Sequence, residues 1–284
     1  MIFFSVVIPL YNKEKTIRST LESVLNQSYP HFEIIVVDDG STDAGPSAVR
    51  SMDEPRIRLV RQENAGPGAA RNLGVRQARY DWIVTLDADD LMLPGALDTF
   101  AFHLDDTPEA DMVVGNFELE DHDRTWPYRD YPLPASVPNS FRAWFMKELM
   151  PCAGTYACKK YLLTRNPYKP ELRRSEDTEV LFNIFREAVI IRTDVPVMRY
   201  RRDYSVESRR KGDIGKDFQG HLSFDRWKPL WERICLYELY VEAKNNYPDE
   251  VHGVYPDMGK RVFLKAAYHA AFRYRAFLQK RRKK

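Results

Sequence analysis

Residues Trp82–Asp90 read WIVTLDADD, an apolar run that stops on three carboxylates. The run is β-branched and aromatic and too short for a helix, so it predicts a buried strand. Asp87 and Asp89 follow at the carboxyl end of that strand, the edge at which open α/β sheets bind ligands. Two neighbouring carboxylates there can share one Mg²⁺ or Mn²⁺, which completes its shell with water and phosphate oxygens. The alternative is a solvated acidic turn before a helix that starts near Pro94.

Strands and helices alternate along the first 118 residues. Apolar segments that predict strands are Phe3–Pro9, Phe32–Val37, Ile57–Val60, the run from Trp82, and Met112–Phe117. Segments with helical periodicity lie between them, at Ile17–Leu25, Asp43–Met52, Ala69–Arg79 and Leu97–Leu104. Strands that are apolar on both faces belong to parallel sheets covered on both sides. The pattern predicts an α/β fold with a doubly wound, mostly parallel sheet flanked by helices.

The pattern changes in the second part of the chain. Residues 121–138 are rich in Pro, Asp and aromatics and predict a loop or an irregular hairpin. Further predictions are helices at Phe141–Leu149, Glu176–Glu187, Trp227–Asn245 and Met258–Arg282, short strands at Ile190–Arg192 and Val197–Arg201, and a mobile polar loop at Gly212–Gly220. We expect one α/β domain over residues 1–208, with halves 1–118 and 119–208, and a helical C-terminal extension over 209–284.

The amino-acid composition limits the classes of protein to which the chain can belong. The 284 residues are 44% hydrophobic and 13% aromatic, which is ample for a core and excludes a disordered chain. A net charge of +2 excludes a global polyanion-binding field. Cys152, Cys158 and Cys235 cannot all pair with one another, so reduced thiols in a cytoplasmic protein are expected. Met1–Pro9 lacks the basic start of a signal peptide, and no run approaches the roughly 20 apolar residues of a membrane span.

Four segments are expected at one edge of the sheet. They are Pro9–Asn12 after the first strand, Asp38–Asp39 after the second, the Gly-rich loop Asn64–Arg71 before a helix, and Asp87–Asp89 after the fourth strand. A Tyr ring can stack on a nucleobase, and a carboxylate can accept a hydrogen bond from a base N–H or a ribose hydroxyl. Together the segments predict a nucleotide pocket beside a metal site.

These segments carry a family resemblance. The sequences VVIPLYNK at Val6–Lys13, VDDGSTD at Val37–Asp43, NAGPGAARN at Asn64–Asn72 and LDADD at Leu86–Asp90 resemble the ordered motifs of glycosyltransferase family 2, of the GT-A fold. The resemblance is dense from about residue 5 to 95 and looser to about residue 208. It implies transfer of a hexose or N-acetylhexosamine from a nucleotide-sugar, most often a UDP-sugar, with inversion at the anomeric carbon. It also implies Mn²⁺ or Mg²⁺ as the cofactor.

The resemblance makes residues 1–118 the nucleotide-sugar-binding half of a GT-A catalytic domain. Pro9 and Tyr11 would line the base pocket. Asp39 would meet the uracil edge, and Arg71 would help to hold the nucleotide.

The same half would hold the metal. Asp87 would meet the ribose or the sugar, with Ala88 beside it at the donor, and Asp89 would be the main protein ligand of the metal that bridges the diphosphate. A divalent cation suits this position, because a diphosphate leaving group gains negative charge in the transition state.

An inverting transfer needs a general base, because the acceptor hydroxyl attacks from the face opposite the leaving group and must lose its proton. The family places this carboxylate in a Glu-Asp pair at a helix start, and Ser175-Glu176-Asp177 matches. Asp177 is therefore the predicted base, and Glu176 is predicted to orient the acceptor or a neighbouring group. The alternative is first-turn charge that complements the helix dipole, with Ser175 as N-cap.

Further predictions concern residues 119–208, the acceptor-side half. Backbone near Gly154 and Thr155 is expected to approach the donor sugar. Arg202 aligns with the family position that sends an Arg or His to the pyrophosphate, and its loop is expected to close over the donor; an ordinary exposed strand residue is the alternative. Arg173–Arg174 is interpreted as a solvated face.

The sequence lacks the Gln-x-x-Arg-Trp signature of processive family members. This absence predicts addition of one sugar rather than synthesis of a polymer. The resemblance implies that the acceptor is a hydroxyl of a glycan or lipid-linked glycan in cell-envelope polysaccharide biosynthesis. One alternative is a catalytically degenerate scaffold or partner subunit that binds the nucleotide-sugar; the intact carboxylates argue against it. Another is a nucleotidyltransferase, which normally carries a Gly-rich phosphate loop with Arg and Lys where Leu10–Lys13 stands.

The C-terminal segment Lys260–Lys284 contains ten basic residues, no Asp or Glu, and interleaved aromatic residues. Two interpretations stay open: a helix that lies on the anionic inner face of a membrane, and a helix packed on the catalytic domain with a solvated basic end. Nucleic acid is not an expected partner, because the basic run is terminal and no recognition fold accompanies it. The oligomeric state is left open.

Overall fold

The computed structural model describes residues 1–122, 124–202 and 213–282. The chain divides into two compact units. One contains residues 1–137 and the described part of 150–210, and the other contains residues 138–149 and the described part of 211–284. The predicted boundary at 208–209 lies outside the described residues, as do Gly212, the loop predicted after Arg202, and Lys283–Lys284.

The first unit contains all the strands that the described residues form. They are β1 (Phe4–Leu10), β2 (Phe32–Asp39), β3 (Ile57–Gln62), β4 (Trp82–Thr85), β5 (Leu91–Met92), β6 (Met112–Asp121), β7 (Arg124–Pro127), β8 (Tyr156–Lys159) and β9 (Ile190–Arg201). Its helices are α1 (Ile17–Leu25), α2 (Gly45–Arg50), α3 (Pro67–Gln77), α4 (Ala96–Asp106), α6 (Lys160–Arg165) and α7 (Glu176–Ile184). The second unit contains α5 (Ser140–Phe145), α8 (Leu230–Asn246), α9 (Val251–Val254) and α10 (Val262–Arg282).

The described strands form one mixed sheet in the order β3-β2-β1-β4-β8-β6-β9-β5, with β7 paired to β6. The strands β1–β4, β6 and β9 run in one direction, and β5, β7 and β8 run in the other. This confirms the predicted α/β class with a mostly parallel sheet. In the segment 121–138, predicted as a loop or an irregular hairpin, β7 pairs with the end of β6.

The register brings the polar strand ends together. Leu10 of β1 lies opposite Asp38 of β2, and the N–H of Leu86, just after β4, donates to the carbonyl of Val7 at 3.0 Å. Helix α3 packs closely on the middle of β1, because a Cβ added to Gly74 would overlap with Val7 Cγ1. The ends of β1, β2 and β4 lie side by side at one edge of the sheet.

The structure differs from the sequence predictions in three strands. Two short strands, β5 and β8, were not predicted; β8 has four residues and lies between β4 and β6, where neighbours on both sides fix its conformation. The strands predicted at Ile190–Arg192 and Val197–Arg201 are one strand, β9. Its register against β6 shifts beside Pro196, so the ladder accommodates a residue that donates no hydrogen bond.

The second unit is a small helical assembly. Residues 214–220, part of the predicted mobile loop, form two 3-10 turns at Ile214–Lys216 and Phe218–Gly220. Asp213 and Asp217 accept hydrogen bonds from Gly215 N and Gln219 N, at 2.8 and 3.0 Å, which cap these turns. These two caps replace the irregular loop expected from composition alone.

All three cysteines are free, as predicted. Among the described helices, none is both long enough and apolar enough to cross a membrane.

Candidate active site

A cavity of about 620 Å³ opens at the carboxyl edge of the first unit's sheet. It is lined by the ends of β1, β2 and β4, the loop before α3, and the start of α7. The predicted site residues that line it are Pro9, Tyr11, Asp39, Arg71, Asp87, Ala88, Asp89, Glu176 and Asp177. The fold therefore brings together residues that are widely separated in sequence.

Asp39 is held rigidly at the end of β2. Its side chain is buried and accepts hydrogen bonds from Gln62 Nε2 at 2.7 Å and from the backbone N–H groups of Ala65 and Gly66, each at 2.8 Å. Gly66 has a φ of +93°, a conformation that favours glycine. The Gly-rich loop thus folds over one carboxylate and leaves its remaining lone pairs to a ligand.

Arg71 joins the two sides of the cavity. Its buried guanidinium donates to Asp87 Oδ1 at 2.7 Å and to Glu176 Oε1 at 2.8 Å, and lies 5.4 Å from the ring centre of Tyr168. Burial alone would lower the pKa of Arg71, but the two carboxylates outweigh it and hold that pKa well above its usual range. Arg71 is therefore a fixed positive charge between the end of β4 and the start of α7.

Asp89 lies against a cation of the chain. Its Oδ2 accepts a hydrogen bond from Lys13 Nζ at 2.6 Å. Burial raises the pKa of Asp89, and the neighbouring Asp87 raises it further, while Lys13 opposes both effects. The position thus carries a desolvated carboxylate that requires a positive partner.

Arg201 forms hydrogen bonds to the loop that carries Asp89 and Asp90. The backbone N–H of Arg201 donates to Asp90 Oδ1 at 3.0 Å, and its Nε donates to the carbonyl of Asp89 at 2.5 Å. Burial, followed by the charges of Asp87 and Asp89, raises the pKa of Asp90 well above its usual range. Arg201 therefore fixes the backbone that presents Asp89 to the cavity.

Asp87 and Asp89 suit one hard divalent cation. In the part of the chain that the structure describes, no cluster of three or more His, Cys, Asp or Glu side chains is arranged to bind a metal. Two lining carboxylates match a Mg²⁺ or Mn²⁺ that takes its other ligands from phosphate and water. Asp89 already forms an ion pair with Lys13 Nζ, which shows that a cation at this position is favourable.

Asp177 lies at the start of α7, within the cavity lining. Burial, reinforced by the charge of Glu176, raises the pKa of Asp177 to about 6. Its Oδ1 accepts a hydrogen bond from Thr178 N at 2.7 Å. Ser175 is the N-cap residue, with a left-handed φ of +53°, and its side chain makes no capping hydrogen bond to the described helix start. The raised pKa is what a carboxylate that accepts protons near neutrality requires.

Three predicted residues lie away from the cavity lining. Gly154 packs behind it, where an added Cβ would meet Met198 and Leu86 at 2.7 and 2.9 Å. Thr155 is fully buried, and its hydroxyl donates to the carbonyl of Cys152 at 2.9 Å. Neither residue lines the cavity, so their approach to a donor sugar stays a prediction.

Arg202, which follows the last residue of β9, is the third of these residues. Its guanidinium lies 3.4 Å from Asp121, and Arg202 does not line the cavity in the described structure. Its contact with a pyrophosphate also stays a prediction.

The charged and aromatic lining residues that were not among the predicted site residues are Lys13, Arg173, Arg174 and Tyr200. Arg173 is exposed and Arg174 is half-buried, and both line the cavity, so the solvated face predicted at Arg173–Arg174 forms part of the cavity wall. Arg173 lies against Gly66, whose missing Cβ leaves room for the guanidinium. The position of the two arginines immediately before Ser175-Glu176-Asp177 was the available signal.

Comparison with known proteins identifies the family. The family model described as Glycosyl transferase family 2 matches residues 5–195. The chain belongs to glycosyltransferase family 2. The uncharacterized glycosyltransferase YibD of Escherichia coli K12 is 34% identical over 92% of this chain and 76% of its own length.

Other relatives of this family 2 glycosyltransferase match over shorter regions. The succinoglycan biosynthesis protein ExoO of Rhizobium meliloti is 45% identical over 32% of this chain and 26% of its own length. The chain spans about 40% or less of several curated relatives, including 38% of glycosyltransferase GlyG of Streptococcus pneumoniae.

The fold comparison agrees with the family assignment. A crystal structure of Staphylococcus aureus TarS, residues 1–349, has a TM-score of 0.69 at 20% identity over 95% of this chain and 81% of that one. This likeness confirms the GT-A fold of the family 2 glycosyltransferase.

Proposed function

We propose that this family 2 glycosyltransferase moves one sugar from a UDP-sugar to a hydroxyl of a glycan or lipid-linked glycan, with inversion at the anomeric carbon. The observation that carries the proposal is the single cavity that collects Asp39, Arg71, Asp87, Asp89 and Asp177. One end offers nucleotide-binding groups, the middle offers carboxylates for a cation, and the start of α7 offers a base.

The nucleotide occupies the end of the cavity nearest β2 in this proposal. Asp39 is held by three N–H donors and keeps lone pairs that can accept a hydrogen bond from a pyrimidine N–H. Tyr11, partly exposed at the cavity, offers a ring face for stacking. Arg173, beside Gly66, offers a guanidinium toward the phosphates of the same nucleotide.

Asp87 and Asp89 would hold Mn²⁺ or Mg²⁺ in the middle of the cavity. Such a cation, when bound, supplies Lewis-acid stabilisation to the diphosphate leaving group. Arg71 keeps Asp87 oriented, and Arg201 keeps the Asp89 backbone in place. Lys13 neutralises Asp89 in the protein without donor and is available to the diphosphate when that pairing is released.

Asp177 takes the proton of the acceptor hydroxyl. Its carboxylate is half-buried in the cavity wall, and its raised pKa of about 6 suits it to accept a proton near neutrality. Glu176 is bound by Arg71 and orients the start of α7 rather than moving the proton. The reaction thus forms the bond from the acceptor oxygen to the anomeric carbon, breaks the bond to the diphosphate, and leaves the proton on Asp177.

The relatives suggest where to begin the search for substrates. TarS has been crystallised in complex with UDP and with UDP-GlcNAc, and ExoO and GgaA are named for succinoglycan and minor teichoic acid biosynthesis. UDP-GlcNAc is therefore the first donor to test, and an envelope polysaccharide the first acceptor class. A cytoplasmic location stays a prediction.

The first experiment measures release of nucleoside diphosphate from a panel of nucleotide-sugars, with Mn²⁺ or Mg²⁺ and then with EDTA. We expect slow release from one UDP-sugar that EDTA abolishes. Tight, metal-dependent UDP binding without turnover would support the pocket and require the acceptor to be supplied. Absence of nucleotide binding would contradict the proposal.

A second experiment separates the enzyme from a nucleotide-binding scaffold. Asp177→Asn keeps the size of the side chain and removes its ability to accept a proton. We expect transfer to fall by roughly 10²–10⁴-fold while UDP affinity stays within about twofold. The same transfer rate in Asp177→Asn would show that this residue is not the base.

A further inference from the structure

Helix α10 has one face fixed within the second unit. Leu264, Tyr268 and Arg275 are buried. Arg275 donates to the carbonyl of Phe145 at 2.7 Å and to Glu238 Oε1 at 2.9 Å. These contacts fix the orientation of the helix, so its opposite face is exposed to solvent.

The exposed side of α10 carries an aromatic stripe. We define this stripe as Phe263, Ala266, Ala270, Tyr274 and Phe277, which follow one another at intervals of three or four residues. Residues at these intervals lie along one face of a helix. Phe263, Tyr274 and Phe277 are 69%, 49% and 53% exposed, respectively. Three large apolar rings in one line are unusual on a surface that contacts only water.

Basic residues border the stripe. Arg273, Lys280 and Arg281 are exposed and lie three or four residues from members of the stripe, and the Arg281 guanidinium lies 5.5 Å from the ring centre of Phe277. Lys265 is also exposed, farther round the same helix. The sequence from residue 258 to its last residue, 284, contains no Asp or Glu. This face of α10 therefore combines exposed apolar area with positive charge that no acidic neighbour in its own segment offsets.

We propose that this face of α10 docks the protein onto an anionic lipid surface. The aromatic stripe would enter the boundary between headgroups and acyl chains, and the bordering Lys and Arg side chains would pair with lipid phosphates. Charge selects this occupant: a second copy of the same face would bring like charges together. The inference is independent of the proposed transfer reaction, since it concerns only α10 and lipid.

The test uses the full chain and vesicles of defined composition. Flotation compares pure phosphatidylcholine vesicles with vesicles containing phosphatidylglycerol at one lipid in four. We expect binding to the phosphatidylglycerol vesicles, weak binding to phosphatidylcholine alone, and loss of binding as salt is raised. Equal binding to both vesicle types, or to neither, would overturn the proposal.

Charge variants locate the binding face. The test variant carries Lys265→Gln, Arg273→Gln, Lys280→Gln and Arg281→Gln. A control with the same change in net charge carries Arg50→Gln, Arg76→Gln, Lys216→Gln and Lys244→Gln, all at exposed positions outside α10. Each basic residue near the surface is worth roughly fivefold in affinity, so we expect at least a fiftyfold loss in the test variant and a small loss in the control. Equal losses in the two variants would overturn the assignment to α10.

A matched pair of aromatic variants tests the stripe. Phe263 on α10 and Phe102 on α4 are both 69% exposed, so Phe263→Ser and Phe102→Ser remove the same exposed ring from two places. We expect about a tenfold loss of vesicle binding for Phe263→Ser and none for Phe102→Ser. Unchanged melting temperatures would show that both variants fold. A dimer in solution that Phe263→Ser disrupts would overturn the proposal in favour of self-association.

Discussion

The side-chain amide of Asn72 pairs with the backbone of Tyr168 through two hydrogen bonds. Tyr168 N donates to Asn72 Oδ1 at 2.9 Å, and Asn72 Nδ2 donates to the Tyr168 carbonyl at 2.6 Å. The ring of Tyr168 lies beneath Arg71, and its hydroxyl meets that of Tyr156 at 3.3 Å. Two successive residues of α3, Arg71 and Asn72, therefore fix the segment that leads to the predicted base.

We expect Asn72→Ala to loosen this segment without removing any group from the cavity lining. Two lost hydrogen bonds to backbone groups should cost about 1–3 kcal/mol of stability and weaken UDP binding several-fold. Calorimetric titration with UDP and urea unfolding measure the two effects. Asn246→Ala on α8 is the control, because its amide bonds Gln219 in the second unit. Equal UDP affinity in Asn72→Ala and the wild type would contradict this role.

The raised pKa of Asp177 predicts a pH profile. A general base acts as the carboxylate, so kcat/KM should rise with pH up to a pKa of about 6 and level above it. Below pH 6 the rate should fall about tenfold per pH unit, because the protonated fraction of Asp177 grows. A profile that stays flat down to pH 4.5 would contradict the assignment.

Glu176→Gln should move that profile in a known direction. The variant removes a negative charge that raises the pKa of Asp177, while Arg71, which lowers it, remains. The acidic limb should therefore shift to lower pH. A shift to higher pH would mean that Glu176 acts through Arg71 rather than directly on Asp177.

Lys13 competes with a metal for Asp89. We expect Lys13→Ala to bind Mn²⁺ in the absence of nucleotide about five- to tenfold more tightly, because it removes a positive charge 2.6 Å from Asp89 Oδ2. Electron paramagnetic resonance of free Mn²⁺ measures this directly. Asp89→Asn should bind Mn²⁺ more weakly than the wild type. A wild-type Mn²⁺ affinity in both variants would place the metal elsewhere.

Gly74 should tolerate no side chain. A Cβ there would overlap with Val7 Cγ1, so Gly74→Ala should destabilise the first unit by about 1–3 kcal/mol despite the higher helix propensity of alanine. Gly253 on α9 has no atom within 4 Å of an added Cβ, so Gly253→Ala should be neutral or stabilising. Urea unfolding of the two variants compares them. Equal stabilities would contradict the close approach of α3 to β1.

Strands β1, β2 and β4 were predictable because they are continuous apolar runs with buried residues on both faces. The donor-side cavity followed from motifs at their ends, since parallel strands direct those ends to one edge. Strands β5 and β8 were not predictable in this way. Each is short, and each is held by neighbours that are distant in sequence.

The acceptor side was harder to predict for a related reason. Gly154 has a φ of +87°, and Leu86 and Met198 leave no room for a side chain there, so both backbone conformation and packing require glycine. Arg173 looked like a surface charge, and only the fold of the segment held by Asn72 brings it against Gly66. Such contacts depend on tertiary structure, which a local pattern does not contain.

In the proposed reaction, the bridge that Arg71 makes between Asp87 and Glu176 would couple the two substrates. A donor that engages Asp87 would alter one of the two carboxylates that share the guanidinium, and the contact with Glu176, at the start of α7, would adjust. Binding of the donor would thereby affect the acceptor side through Arg71. We expect ordered sequential kinetics, with the nucleotide-sugar binding first and the free diphosphate leaving last.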